Sequence, residues 1–257
     1  MPSGANLSVM MPAFNEERTI GIILKHVLQQ PEVGEVIVVD DGSTDATWQV
    51  IGSLAARDRR VRAFRQGTNQ GKGAALRRAV AELRMPFALV QDADLEYDPR
   101  DYPRLLQPLI EGRADVVYGV RGFSGQTAFS FWFVVGNTIV TQAVNVLFDC
   151  FISDMETGYK VLRSELWKRL NLSGRRFDIE PDITARTLRL GYRIHEVPIT
   201  YRPRGVREGK KIRARDGFEA LWTLLKWRAL PLQVQSFGEI GAEVGVARLE
   251  LHRPTQV

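Results

Sequence analysis

The segments LSVMMPAF (7–14), EVIVVD (35–40), FALVQ (87–91) and ADVVYG (114–119) are nearly uninterrupted apolar runs, set apart by stretches of helical periodicity. A strand without apolar–polar alternation must be covered on both faces, as happens inside a parallel sheet sandwiched between helices. The intervening segments supply the cover. In NEERTIGIILKHVLQQ (15–30), Ile20, Ile23, Leu24, Val27 and Leu28 fall on one helical face, with acids expected in the first turn. ATWQVIGSLAARD, with Ser43, Thr44 and Asp45 as candidate N-caps, GKGAALRRAVAELR and YPRLLQPLIEG read as further helices, and VRAFR as a short strand. This βαβ rhythm predicts an α/β chain with a mostly parallel central sheet flanked by helices.

After about residue 120 the rhythm loosens, judged by the same periodicity test. TGYKVLR and YRIHEVPITY are expected strands, SELWKRLN and PDITARTLRLG expected helices. The apolar stretch at 128–152 is long enough to cross a bilayer. Asn137, Thr138, Thr141, Gln142 and Asn145 make it too polar for lipid, so it is expected as a buried or membrane-contacting helix. RPRGVREGKKIRAR (202–215) holds seven basic residues and one acid, and leads into a helix (216–228) where Phe218, Leu221, Trp222 and Leu225 share a face. A basic run beside a Trp-bearing apolar face is the pattern of an interfacial helix; an ordinary core-packed amphipathic helix gives the same pattern.

At 257 residues the chain suits one domain, expected over 1–235, with a weakly patterned tail at 236–257. The net charge of +5 decides little by itself, and the basic residues lack the aromatic interleaving of a nucleic-acid surface, so no nucleic-acid partner is expected. Cys150 is the sole cysteine, which excludes an intrachain disulfide, and His26, His195 and His252 have no zinc-type spacing. The N-terminal residues lack a basic n-region and cleavage site, so no signal peptide is expected.

In open α/β sheets, ligands bind beyond the carboxyl ends of the strands. Three expected strands end there in polar groups: before Pro12–Glu16, at Asp40–Asp41, and at Asp92–Asp94. The run Asp92, Ala93, Asp94, Leu95, Glu96 gathers like charges, which repel unless something holds them. A divalent ion carrying a diphosphate is one such agent, with Asp92 and Asp94 as ligands and Glu96 as a further one. An acidic loop capping the next helix is the other reading. GTNQGKGAALRRA (67–79) places glycines and Lys72 before a helix, either as a flexible loop or as a loop near a diphosphate. No P-loop signature occurs, which argues against a P-loop kinase or ATPase.

PAFNEE, VVDDGSTDAT, NQGKGAALRRA, DADLEYDP, YGVRG, SDMETGYKVLR, FDIEPDITAR, RIHEVPITYRPR and EGKKI occur in this order. Over residues 7 to 228 the ordered set resembles the inverting GT-A glycosyltransferases of family 2, of the dolichyl- or polyprenyl-phosphate mannose or glucose synthase type. The resemblance implies a Rossmann-like GT-A domain, with a nucleotide-sugar half at about 7–120 and an acceptor half at about 121–235. It implies donor contacts from Pro12, Phe14 (where the family often has Tyr), Glu16, Val39, Asp41, Asp92, Ala93 and Asp94. Asp92, Asp94 and Glu96 (often Gln) are the implied ligands of Mg2+ or Mn2+. Arg121, Arg204 and Lys210 are implied to meet phosphate groups, and Asp94, Arg121 and Asp154 to surround the reacting centre.

The implied reaction moves mannose or glucose from GDP-mannose or UDP-glucose to a polyprenyl phosphate, at the cytoplasmic face of the membrane. A phosphate monoester is largely ionised near neutrality, its second pKa being about 6, so it needs cations rather than a strong base. A soluble or polysaccharide hydroxyl acceptor is the alternative. It would need a carboxylate base, for which Asp154 and Asp182 are the candidates by sequence.

Overall fold

The computed structural model of the protein describes residues 4–122, 131–176, 178–203 and 214–230, with side chains of the last segment from 217. Seven strands form one sheet: β1 (Leu7–Ala13), β2 (Val33–Asp40), β3 (Val61–Arg65), β4 (Phe87–Val90), β5 (Val116–Arg121), β6 (Lys160–Arg163) and β7 (Ile194–Ile199). Their spatial order is β3-β2-β1-β4-β6-β5-β7. All neighbours run parallel except β6, which lies antiparallel to both β4 and β5. The mostly parallel sheet expected from the apolar runs is present. The reversed direction of β6 left no trace in local periodicity, because the pleat alternates alike in either direction.

Successive strand residues face opposite layers. Val9, Met11, Val36 and Val38 enter one core with α1 (Ile20–Leu28), α2 (Thr47–Ala55) and α4 (Tyr102–Ile110). Met10, Ile37, Val39 and Val90 enter the other with α3 (Lys72–Val80), α6 (Ser164–Arg169) and α7 (Ile179–Arg189). Each fully buried Val, Ile or Leu contributes about 1.5–3 kcal/mol relative to exposure, so the two layers fix the register of every strand. Trp167 of α6 is wholly buried and donates its indole N–H to Ala88 O at 2.9 Å, tying the later half of the chain to β4.

A third cluster joins α5 (Phe131–Phe148) and α8 (Ala214–Ala229) to α7, through Val140, Val144, Ala185, Ala220, Leu224 and Trp227. The long apolar segment is therefore a helix with one buried edge, where Asn137, Thr141 and Asn145 are also buried. Asn145 is satisfied there by Ile152, donating to its O at 3.0 Å and accepting from its N at 2.9 Å. The tail 236–257 and most of the basic run lie outside the described residues.

Some boundaries differ from expectation. β1 runs one residue past Pro12, since β4 has already parted from it at Met10–Val90 and leaves a side where no ladder bond is lost. α1 begins only at Ile20, with no acid in its first turn. Asn15 adopts a left-handed φ of 54°, turning Glu16 and Glu17 out of the helix toward the loop after β2.

Candidate active site

One cavity of about 1200 Å³ opens over the carboxyl ends of β1, β2 and β4. Pro12, Phe14, Glu16 and Asp41 line one end, Asp92, Ala93, Asp94 and Glu96 the middle, and Arg121, Glu156 and Tyr201 the other end. These residues are scattered over much of the chain; the sheet edge brings them together.

The loop after β1 is stitched to the loop after β2. Asn15 N donates to Ser43 Oγ at 2.9 Å, Glu16 N to Thr47 Oγ1 at 2.8 Å, and Ala46 N to Glu17 Oε2 at 3.0 Å. Asp45 accepts from Thr47 N at 3.0 Å, so of the N-cap candidates it is the one that satisfies the start of α2. Asp41 is buried and accepts from Gln70 N at 2.8 Å and Gly71 N at 2.7 Å, shaping the glycine loop before α3. Val39 is set apart: its side chain is fully buried against α3 and does not line the cavity, because its neighbours alternate across the sheet.

The acidic turn is over-determined. Leu95 has φ of 65°, a left-handed conformation disfavoured for a branched side chain and common where a site imposes strain. Asp94 Oδ1 accepts from Glu96 N at 3.2 Å. Glu96 accepts the Tyr201 hydroxyl at 2.6 Å, and its carbonyl accepts Arg202 N at 2.8 Å, so the turn is bonded to the segment after β7. Asp92 Oδ1 meets Lys72 Nζ at 2.7 Å, Lys72 also reaches Glu180 Oε1 at 3.0 Å, and Glu180 Oε2 holds Lys160 at 2.9 Å. Burial pushes the Asp92 carboxyl upward, Lys72 pulls against it, and the nearby Asp94 charge adds to the rise. Against burial, the charges of Asp92 and Glu180 hold the Lys72 ammonium well above its ordinary range.

Both explanations of the acidic run therefore have a physical counterpart. Asp98 caps the 3-10 turn at Pro99–Asp101 by accepting Arg100 N at 3.0 Å. Asp92 and Asp94, by contrast, face the cavity. Among the described residues, no three His, Cys, Asp or Glu side chains converge as a metal cage. Two carboxylates are nevertheless what Mg2+ or Mn2+ requires when phosphates and water complete the shell, so the donor set fits such an ion. Glu96 lines the cavity beside Asp92 and Asp94 and also accepts the Tyr201 hydroxyl.

At the far end, Arg121 and Asp154 form a buried fork: Nε–Oδ2 at 2.8 Å and Nη2–Oδ1 at 2.7 Å, with the Arg121 backbone N on Oδ2 at 3.1 Å. Asn137 of α5 donates to the same carboxylate at 3.3 Å, and Tyr201 and Phe133 flank the guanidinium. Arg121 lines the cavity; Asp154 does not, and serves as its buried brace. Asp182 is likewise committed, accepting Ser173 N, Gly174 N and the Arg186 guanidinium at 2.7, 2.9 and 2.7 Å. Neither carboxylate named as a base from the sequence faces the cavity. Glu156, beside Arg121, does line it, and burial, reinforced by Glu180, pushes its carboxyl up to about 7. It stands two residues after Asp154 in SDMETGYK, a signal present in the motif but overshadowed by the more familiar aspartate. Arg204 and Lys210 lie outside the described residues.

Comparison with known proteins accords with this geometry. The sequence profile described as Glycosyl transferase family 2 matches residues 8–170. Polyprenol monophosphomannose synthase of Mycolicibacterium smegmatis is 30% identical over 238 residues, which cover 85% of this chain and 85% of that protein. Glycosyltransferase AglD of Haloferax volcanii is 28% identical over 215 residues, 79% of this chain, which spans only 34% of AglD. Among solved structures, glucosyl-3-phosphoglycerate synthase from Mycobacterium tuberculosis, with Mn2+, UDP-glucose and phosphoglyceric acid, has a TM-score of 0.66 at 25% identity, covering 90% of this chain and 82% of its own. The profile spans more than half of the chain and the GT-A sheet carries an acidic cavity at its carboxyl edge: the protein belongs to glycosyl transferase family 2.

Proposed function

We propose that the protein transfers a hexose, mannose or glucose, from a nucleotide-diphospho-sugar to a polyprenyl phosphate, with inversion and with Mg2+ or Mn2+. The observation that carries the reading is the placement of Asp92 and Asp94 in the same cavity as Arg121. The name of the polyprenol monophosphomannose synthase relative supports the acceptor class. Asp92 and Asp94 would hold the ion, which when bound neutralises the leaving diphosphate and serves as a template. Pro12, Phe14, Glu16 and Asp41 grip the nucleotide, with Val39 acting only through its main chain, in the half comprising about 7–120. Arg121, with Arg204 and Lys210, draws the acceptor phosphate beside the donor, in the half comprising about 121–235. An ionised phosphate oxygen attacks the anomeric carbon in line and needs no base.

The acceptor's lipid places the enzyme at a membrane, and the cytoplasmic face is the side that supplies nucleotide sugars. Trp132 and Ile139 of α5 and Phe218, Trp222 and Leu225 of α8 are exposed, although these helices touch through their other faces. Such aromatic edges suit insertion among lipid headgroups, and the basic run before α8 adds attraction to anionic lipid of about 1 kcal/mol per well-placed residue.

Glu156 supports a second reading. A cavity carboxyl titrating at about 7 is suited to deprotonate a sugar or glycerate hydroxyl. Incubation with labelled GDP-mannose or UDP-glucose separates the two: label extracted into organic solvent with a short polyprenyl phosphate supports the first, label on a soluble hydroxyl acceptor the second. Asp94→Asn is expected to lower Mn2+-dependent transfer by at least about a hundredfold, the scale of losing a main electrostatic support of the leaving group. Wild-type rates in that variant would remove the metal assignment.

A further inference from the structure

We infer that Arg176 contacts the donor diphosphate, held at the cavity wall by a loop that α3 and α7 lock in place. The inference rests on the reading of the cavity as a nucleotide-diphospho-sugar site. Loop residues 173–176 lie between α6 and α7. Ser173 N and Gly174 N donate to Asp182, and Arg175 N and Arg176 N donate to Asp178 Oδ1 at 2.9 and 2.7 Å. From the other side, Gly73 N donates to Arg175 O at 2.9 Å and the Arg77 guanidinium donates to Gly174 O.

The loop is seated directly on the glycines that begin α3. A Cβ on Gly71 would fall 2.2 Å from Arg175 O, and one on Gly73 would fall 2.1 Å from Gly174 O, distances no side chain tolerates. The glycines of GTNQGKGAALRRA thus make room for a second loop rather than confer mobility. The Arg176 backbone is fixed as a result, although the residue itself is exposed.

The Arg176 stem runs along Gly71, its Cγ only 2.8 Å from the Cβ that Gly71 lacks. Gly71 N is bonded to Asp41 at the nucleotide end, and the next residue, Lys72, is paired with Asp92. Arg176 accordingly stands between the nucleotide end and the acidic pair, where a diphosphate linking nucleoside to sugar has to lie. Two other cavity cations are already matched by carboxylates, Lys72 by Asp92 and Glu180 and Arg121 by Asp154. Among the described residues the Arg176 guanidinium has neither hydrogen bond nor ion pair, so its charge is uncommitted. A planar fork of N–H donors matches phosphate oxygens, and a fixed backbone lowers the entropy lost in using it.

The test compares calorimetric binding of UDP, GDP, UMP and GMP, with Mn2+ present, to the wild type, Arg176→Ala and Arg176→Lys. For the base that the wild type prefers, Arg176→Ala is expected to weaken the diphosphate about tenfold or more, the size of a lost charge-assisted bond, and the monophosphate far less. Arg176→Lys is expected to recover part of the loss. Gly73→Ala, which displaces the loop, is expected to weaken the diphosphate similarly, and adding Arg176→Ala to it to cost less than in the wild type. Equal weakening of mono- and diphosphate would mean a nucleoside contact and overturn the inference, as would unchanged affinity in Arg176→Ala. A wild type that binds none of the four nucleotides would instead overturn the donor reading beneath it.

Discussion

Glu156 shows how far one carboxyl's behaviour depends on its surroundings. Burial, with Glu180 nearby, raises it from an ordinary 4.5 to about 7. Between those values the folded protein holds a proton that the unfolded chain releases. The stability this group contributes is therefore full below about pH 4.5 and is lost as pH rises through about 7. Urea unfolding of Glu156→Gln is expected to show a smaller fall in stability from pH 5 to pH 7.5 than the wild type; identical slopes would remove the shift. Transfer to a phosphate acceptor should survive Glu156→Gln, and transfer to a hydroxyl acceptor should not. The same variant thus reports on both stability and acceptor class.

Among the elements, α5 and α8 are unlike the rest. α5 carries no charged residue over its eighteen positions, and its exposed side includes Trp132, 76% exposed, and Val146, 82% exposed. α8 exposes Phe218, Trp222 and Leu225 at helical spacing while Leu224 and Trp227 pack inward. Surfaces of this kind on a monomer commonly mark an interaction site. Replacing Trp132 and Trp222 by Ser is expected to leave thermal stability nearly unchanged and to reduce flotation with vesicles containing anionic phospholipid about tenfold or more, given the scale of interfacial burial. Undiminished flotation would assign the apolar edges to another partner.

For the whole molecule, the connection that matters most runs between the sheet and the later helices at the cavity. Arg121 ends β5, Asp154 follows α5, and Asn137 belongs to α5, so one buried ion pair ties all three together. Removing one partner leaves a buried charge uncompensated, and Asp154→Leu is expected to cost about 3–5 kcal/mol in urea unfolding. Adding Arg121→Leu should recover much of that stability, because the uncompensated charge is removed with it, without recovering transfer, because Arg121 is the group proposed to draw the acceptor phosphate. A double variant as unstable as the single one would show that the pair does more than compensate its own charges.

Local patterns sufficed for the elements of the sheet and their layering, since continuous apolar runs admit few arrangements and helical periodicity names the covering faces. They also sufficed to nominate Asp92 and Asp94, while the family resemblance pointed to Arg121, and all three line the cavity. Which acids are committed elsewhere was not readable in the chain. Asp154 and Glu156 are two residues apart, yet one is the buried partner of Arg121 and the other faces the cavity. Lys72 and Glu180 meet across more than a hundred residues, and Gly71 and Gly73 are small because a loop a hundred residues later rests on them. Sequence determines which groups a chain owns and the periodicity that buries them. Only the tertiary structure decides which charges neutralise one another inside the protein and which remain for a ligand, because that depends on distances between segments that no local pattern encodes.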